Sequence, residues 1–499
     1  MNRYFLTLFL ALTTITLMAG NNYSVLWKRA DSLKFIGQVK GSLEVVNTIY
    51  ESSKTDGAQD QTIRALLYRI GLEASFEEDS EVKAIANLTQ EMNQSAAPVK
   101  QILSSALAQV YWTYYQRNRW EINERTTVPG DTGTDISVWD TKRFVDTASE
   151  FYSRSLSGAA TLKTVSLSQF EVILEGDSNA RKFRPTLYDF LAFRAIGFFT
   201  GESRFPQSVS FGKAASNPEL FTPVDEFIRK DFSGDDPASF ESRALTIYRD
   251  VLAFHRTELP DTTALVDADL ARLSFAYRIS TLQDKAELYL KALRFLAGQY
   301  KDKPVSAEIN YTLAQQLKTE GDRFVPGKTD KYKWILKEAL ELAEQTAARF
   351  PDTDGAKNCL SLAADIRQIQ LTLTGNQAVI PGLPSLALVE YKNTETFYAR
   401  IVKITKTPES EDSRKDWKLL VKEYLRLKPV ADWKVKLPTD GDFQSHRTEI
   451  KIPSLPAGQY VLLATAIPGF RDSEKVTWMQ FQCTGLSLIS ALNAEQTEF

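Results

Sequence analysis

The hydrophobic period of this chain changes once, near residue 374, and no other feature restricts the fold as strongly. Upstream of that point apolar residues recur at three- and four-residue steps; downstream they recur at every second position. Helices that each bury one stripe must therefore come first, followed by strands that bury alternate side chains.

Helical spacing runs from about Leu26 to Gln370. In Val99–Trp120 the residues Ile102, Leu103, Ala106, Leu107, Val110, Tyr111 and Tyr114 line one wide apolar stripe. Similar stripes occupy Thr62–Phe76, Val138–Leu156, Thr186–Phe199, Phe240–Phe254 and Ala264–Ile279. They continue through Ala286–Tyr300, Ser306–Leu317 and Tyr332–Phe350. Asp131, Asp140, Asp261 and Asp284 precede or open several of them, where a carboxylate can accept the free amides of a first turn.

Helices of this length, joined as antiparallel pairs, predict an α-solenoid. Ala307, Tyr311, Leu313 and Ala314 align with Ala356, Leu360, Leu362 and Ala363 at a constant offset of 49 residues. Each block follows an aromatic residue and a proline, Tyr300 with Pro304 and Phe350 with Pro351. In tetratricopeptide repeats small alanines let paired helices approach, and proline ends the second helix. The usual period of about 34 residues is not kept, so these would be divergent repeats.

Two loops interrupt the array. Thr126–Thr134 is too rich in turn formers to be helical. Thr200–Asp236 carries Pro206, Pro218 and Pro223 together with Phe205, Phe211, Phe221, Phe227 and Phe232, which predicts a loop folded back onto the helices.

Thr374–Pro384 reads as a linker, and the period beyond it is two. Ser385–Glu390 and Thr396–Ile404 are strand-like, and Thr448–Ile452 sets Ile450 and Ile452 on one face and Glu449 and Lys451 on the other. Leu455-Pro456-Ala457-Gly458 turns into the strand Gln459–Ala466, and Val476–Cys483 follows. About five to seven short strands suffice for an Ig-like sandwich of roughly 100 residues. Ser413–Leu427 is a helical insertion with Trp417, Leu420, Val421 and Tyr424 on one stripe.

The chain opens like an export signal. Arg3 precedes the apolar run Phe5–Leu12, and Ala19-Gly20 offers a cleavage point. That run is too short to span a bilayer core of roughly 30 Å. Leu17-Met18-Ala19-Gly20 lacks the cysteine that a lipid anchor requires. The expected organisation is an export signal at 1–20, a helical array at 21–373, a linker at 374–384, a β-sandwich at 385–490 and a tail at 491–499. The fold class is mainly α with a C-terminal all-β domain.

Loss of Arg3 with the signal takes the formal charge from −3 to −4, and no basic patch of nucleic-acid type accompanies it. The two histidines and two cysteines lie far apart in the sequence, without metal-ligand spacing. His255 reads as a structural residue of a helix, and His446 as a residue that braces a turn before a strand. Neither is accompanied by the Gly-x-Ser-x-Gly elbow of a serine hydrolase. Cys359 and Cys483 read as small core residues that do not bridge. Glu77-Glu78-Asp79 and Asp235-Asp236 are carboxylate clusters of the kind glycoside cleavage uses, although such runs are commonly solvated helix ends. No catalytic, cofactor-binding or metal-binding residue is assigned.

Several phrases of the chain resemble bacterial alpha-2-macroglobulin-like proteins that carry a long helical N-terminal extension. In the helical part these are Ala108–Gln116 through Arg119-Trp120, then Trp139-Asp140, and Arg184-Pro185-Thr186-Leu187-Tyr188-Asp189-Phe190-Leu191-Ala192. In the β part they are Asp442-Phe443-Gln444-Ser445-His446, Leu455–Leu463 and Leu486–Ile489. The resemblance implies a tetratricopeptide-like array followed by the first macroglobulin sandwich of an envelope protease trap, in the periplasm or at the outer-membrane surface. It implies downstream macroglobulin domains or envelope proteins as partners, and proteases as targets at the level of the family. The Cys-Gly-Glu-Gln thioester sequence and a bait-like segment do not occur, so no trapping role passes to any residue, and the chain is expected to be an N-terminal portion or a shortened member.

Two other classes compete. An outer-membrane glycan-binding protein would combine an export signal with similar helices and would expose tryptophans around a groove. A polysaccharide lyase would recruit a tyrosine base such as Tyr114, beside Asn118-Arg119.

Overall fold

Several helices start where the sequence supplies a cap. In a computed structural model, the described residues are 23–77, 80–126, 133, 135–201, 213–232, 239–405, 417–486, 491–492 and 497–498. The expected export signal lies outside them, as do Asp131, Glu78-Asp79, Asp235-Asp236, Phe205, Phe211 and most of the Thr126–Thr134 loop. Two compact units divide the chain, Met1–Tyr289 and Leu290–Phe499.

The first unit runs through α1 (residues 23–35), α2 (Val39–Asp56), α3 (Gln59–Glu73), α4 (Ser80–Gln94) and α5 (Val99–Asn123). It continues with α6 (Thr141–Ser155), short α7 (Ala159–Thr164), α8 (Leu187–Thr200), short α9 (Val224–Phe227), α10 (Phe240–Ala253) and α11 (Thr262–Ile279). Asp140 accepts the Arg143 amide at 2.9 Å to open α6, and Asp261 accepts the Thr263 and Ala264 amides to open α11. Both are caps that the sequence announces. Trp27, Ala30, Val46, Ile49 and Ala65 close α1, α2 and α3 on one another. The aromatic phrase of α5 forms the next layer: Tyr111 stacks on Trp139 at 5.5 Å, and Trp112 meets Phe198 of α8 edge-on at 5.2 Å.

The described part of the phenylalanine-rich loop does pack on the helices. Phe221, Phe227 and Phe232 are buried, and Arg272 of α11 pins the segment. Its guanidinium donates to the Leu220 and Thr222 carbonyls at 2.6 and 3.2 Å, lies 4.4 Å from the Phe227 ring, and is paired with Asp269. Burial raises the pKa of Asp269, and Arg272 opposes that rise.

α12 (Lys285–Gln299) crosses the division between the units, and α13 (Ser306–Gly321), α14 (Ile335–Arg349) and α15 (Asp354–Ile366) open the second. α13 packs on both α14 and α15. The approach is close: a Cβ added at Gly355 would meet the Ala307 carbonyl carbon at 2.4 Å, and one at Gly321 would meet Leu336 Cδ2 at 2.8 Å. The 49-residue alignment therefore pairs the first turns of two helices that touch, with Ala307 against Gly355.

The β part comprises β1 (Gln370–Gly375), β2 (Ala378–Val379), β3 (Ser385–Lys392), β4 (Thr396–Ile404), α16 (Trp417–Arg426), β5 (Pro429–Lys436), β6 (His446–Ile452), β7 (Gly458–Thr465) and β8 (Thr477–Cys483). A short ladder, β9 (Ala491–Leu492) with β10 (Thr497–Glu498), follows. A three-stranded sheet in the order β1-β3-β6 faces a five-stranded sheet in the order β2-β8-β7-β4-β5. Val389, Tyr391, Ile450 and Ile452 from one sheet meet Phe397, Ile401, Tyr460, Leu462 and Phe481 from the other. α16 covers the far side of the larger sheet through Leu420, Val421 and Tyr424 against Val402, Val461 and Leu463. β7 is thus buried on both faces, which explains why Tyr460-Val461-Leu462-Leu463-Ala464 reads as a continuous apolar run.

The stretch 374–384 is not a free spacer. It holds the end of β1, which pairs with β3 from Gln370↔Lys392 to Gly375↔Ala387, and it holds β2, parallel to β8. Leu371 and Leu373 alternate with threonines over too few residues for period two to stand out beside a helix. β5 is an edge strand not singled out from the sequence, although it alternates: Ala431, Trp433 and Val435 face the core while Asp432, Lys434 and Lys436 face solvent. Among the described residues no helix is long and apolar enough to cross a membrane.

Arg272→Met leaves Asp269 buried without its cation, so the intact chain is expected to lose about 3–5 kcal/mol of stability in urea denaturation. The double variant Asp269→Leu with Arg272→Met is expected to recover most of that loss, because it removes the stranded charge.

Candidate functional site

The residues singled out from the sequence that lie among the described ones are dispersed through the chain. His255 sits in a π-helical turn, Phe254–Glu258, that continues α10; its Nε2 lies 2.7 Å from Asp189 Oδ1. Asp189 is also the third residue of the Thr186 capping box, where its Oδ2 accepts the Thr186 amide at 3.0 Å. His255 Nδ1 is buried with no hydrogen-bond partner among the described residues. His446 opens β6 and approaches Asp442 Oδ1 at 2.9 Å, while the same oxygen accepts the Gln444 amide at 3.0 Å. It therefore braces the turn before its strand.

Cys359 and Cys483 are buried and unbridged. Burial pushes the Cys359 thiol up to about 11 and raises that of Cys483. Glu77 pairs with Lys83 at 2.6 Å. Tyr114 stacks on Phe144 at 5.4 Å, and burial raises its phenol. Asn118 donates to the Tyr114 carbonyl at 2.9 Å, and Arg119 lies over the Trp120 ring. None of these described groups lines the cavity of the second unit. Among the described residues, no three of His, Cys, Asp and Glu group as a metal ion would require.

The arrangement with chemical potential lies in the second unit, where α13 and α15 meet the sandwich. The last carbonyls of a helix have no partner within its own ladder. Here sandwich side chains supply one. Gln444 Nε2 donates to the Gly321, Tyr332 and Lys333 carbonyls at 3.1, 3.2 and 3.2 Å, at the corner between α13 and α14. Asn393 turns the connection from β3 to β4, which crosses from one sheet to the other, at φ 56°, and its Nδ2 donates to the Ile366 and Gln368 carbonyls at 2.7 and 3.0 Å, capping α15. Lys333 pairs with Asp440 at 2.6 Å; the bond lowers the carboxyl pKa and raises that of the amine. That pair is complete above the ordinary carboxylate range and is lost as pH falls through the lowered value.

Beside Gln444, between these helix ends and the sheet, lies an open cavity of about 340 Å³. Lys318 holds one side of it, 2.9 Å from Asp322 and 3.4 Å from Asp365. Burial disfavours its charge, yet the two carboxylates outweigh that and keep the amine above its ordinary value. On the sheet side, Glu390 accepts from Ser445 Oγ at 3.0 Å and from Arg447 at 3.0 Å. Lys392, on the outward face of β3, also lines the cavity; the residue is only 8 % exposed, and its ammonium makes no hydrogen bond or ion pair among the described residues. Burial pushes its amine down; Asp322 and Asp365 pull the other way, and Lys318 adds to the fall. Phe324, Val325, Pro326 and Leu336 supply an apolar wall. Such a lining can bind a small polar molecule and orient it by charge.

None of these residues was singled out from the sequence for chemistry. Lys392 and Asn393 lie just beyond the expected strand Ser385–Glu390. Continuing its alternation two residues would have placed Lys392 on the same face as Glu390. Gln444 stood only inside a phrase that carried a family resemblance. Compared with protein-family models and with curated proteins, the chain matches none.

Gln444→Leu withdraws the donor shared by three carbonyls, and urea denaturation of the intact chain is expected to show a loss of about 1–3 kcal/mol. An unchanged midpoint would mean that those carbonyls are satisfied without Gln444.

Proposed function

We propose that this chain is a non-catalytic scaffold of the bacterial cell envelope, the helical extension and first sandwich of an alpha-2-macroglobulin-like endopeptidase inhibitor. The observation that carries this most is the use made of Asp442–His446, a phrase on which the resemblance rests. Asp442 and His446 shape the turn, and Gln444 fastens it to the α13–α14 corner. A phrase spent on holding a sandwich to a helical layer suits a part whose task is to position neighbouring domains. The order of elements, helices and then a two-sheet sandwich, agrees with what the resemblance implies. On this reading the partners are macroglobulin sandwiches or envelope proteins, proteases are targets of the assembled inhibitor, and the chain works in the periplasm or at the outer-membrane surface.

A scaffold meets its partners through exposed apolar residues, and Phe35 and Trp120 are the most exposed aromatics among the described residues of the first unit, at 92 % and 78 %. With p-benzoylphenylalanine at either position, irradiation of cells making the protein is expected to give covalent adducts with an exported protein. Binding of envelope oligosaccharides by the purified chain, without protein adducts, would favour glycan recognition instead. Turnover of an acidic polysaccharide that is lost in Tyr114→Phe would replace both readings with a lyase.

A further inference from the structure

We infer that the outer face of α16, with the solvent side of β5 beside it, is a docking surface for an anionic lipid bilayer. The inference does not rest on the scaffold reading. It begins from the spacing of charge. Residues 417–428 carry Lys418, Lys422, Arg426 and Lys428 against one acid, Glu423, in a chain whose formal charge is −3. Leu420, Val421 and Tyr424 face the larger sheet, so at about 3.6 residues per turn Leu419, Lys422 and Arg426 point away from it. Lys418, Lys422 and Arg426 follow one another at every fourth position, the spacing at which like charges repel on a helix surface and weaken it. Glu474 meets Lys418 at 2.8 Å, whereas Lys422, Arg426 and Lys428 have no carboxylate partner among the described residues.

β5 extends the same charge. Its register with β4 pairs Tyr398 with Lys434 and Thr396 with Lys436, which puts both lysines on the side of the sheet that α16 covers. Two acids of this side are already engaged, Asp432 with Arg400 at 2.7 Å and Glu474 with Lys418. Residues 406–416, outside the described ones, contribute four acids against three cations, too few to reverse the excess.

The apolar residues of this stretch select the kind of anion. Trp417, Leu419, Leu427 and Val430 are exposed in the same run as the cations. Cations mixed with exposed apolar side chains suit a helix that lies in the headgroup layer. There lysine and arginine meet lipid phosphates, while tryptophan and leucine dip toward the acyl chains. An acidic polypeptide would match the lysines but asks for no such apolar fringe, so a bilayer fits the surface better. Each cation brought close to an anionic leaflet strengthens binding about fivefold, and salt screens that gain.

Co-sedimentation of the intact chain with vesicles tests this, using phosphatidylcholine alone or mixed with an equal part of phosphatidylglycerol. The mixed vesicles are expected to bind about tenfold more tightly or better, and less so as sodium chloride is raised. The double variant Lys422→Glu with Arg426→Glu is expected to lose about tenfold or more of that affinity. Its urea midpoint should be unchanged or higher, because both side chains are exposed and repel each other. The apolar run Phe5–Leu12 is common to both chains, so the difference between them belongs to α16. Leu419→Cys, labelled with a nitrobenzoxadiazole dye while the buried Cys359 and Cys483 stay unreactive, is expected to gain fluorescence on the mixed vesicles. Equal binding to both kinds of vesicle, wild-type affinity in the double variant, or a dye that remains in water would each overturn the assignment. Soluble polyglutamate bound as tightly as the mixed vesicles would also overturn it, in favour of an acidic protein partner.

Discussion

Two helix ends in the second unit are completed by side chains that the helices do not own. Asn393 caps α15 from the turn between β3 and β4, and Gln444 serves the carbonyls at the α13–α14 corner from the turn before β6. An amide nitrogen offers two protons, so Gln444 shares at least one of them among its three carbonyls. Buried carbonyls left without donors would be costly, which ties the position of the sandwich to that of the last helices. Sheet and helices in this unit are therefore one structure, coupled by polar bonds whose directions are fixed, in addition to apolar contact.

The cavity is a by-product of the same clasps. Lys392 precedes Asn393 and Ser445 follows Gln444, so each capping residue sets its chain neighbour against the lining. The two glycines that permit close helix approach complete the frame: Gly355 lets α15 meet the first turn of α13, and Gly321 lets the start of α14 fold against the end of α13. Side-chain bulk at Gly355 would push apart α13 and α15, which carry Lys318 and Asp365, and bulk at Gly321 would push α14 from the end of α13 beside Asp322. The electrostatic arrangement around Lys392 depends on backbones held this closely.

Much of the architecture was legible because periodicity reports burial. The stripe through Val99–Trp120 became α5, Asp140 and Asp261 became caps, and Thr396–Ile404 became β4 with the expected ends. What stayed hidden was whatever depends on partners distant in sequence. β1 is too short to display its alternation, whereas β5 does alternate, from Ala431 to Lys436, and was legible without being singled out. Gln444 and Asn393 are ordinary polar residues until a helix end is placed before them. Lys392 looks like any surface lysine; only the covering helices withdraw it from water, and no local pattern encodes that. The histidines and cysteines, which sequence reasoning examines first for chemistry, lie outside this cavity.

Hydrogen exchange of the intact chain, read residue by residue across α13, α15, β3 and β6, tests the coupling most directly. If the caps join these elements, amides at the ends of α13 and α15 and those of β3 and β6 should become exposed in one shared opening, with the same denaturant dependence. Helical amides that exchange freely while β3 and β6 stay protected would show the sandwich to be independent of the helices, and would contradict the account.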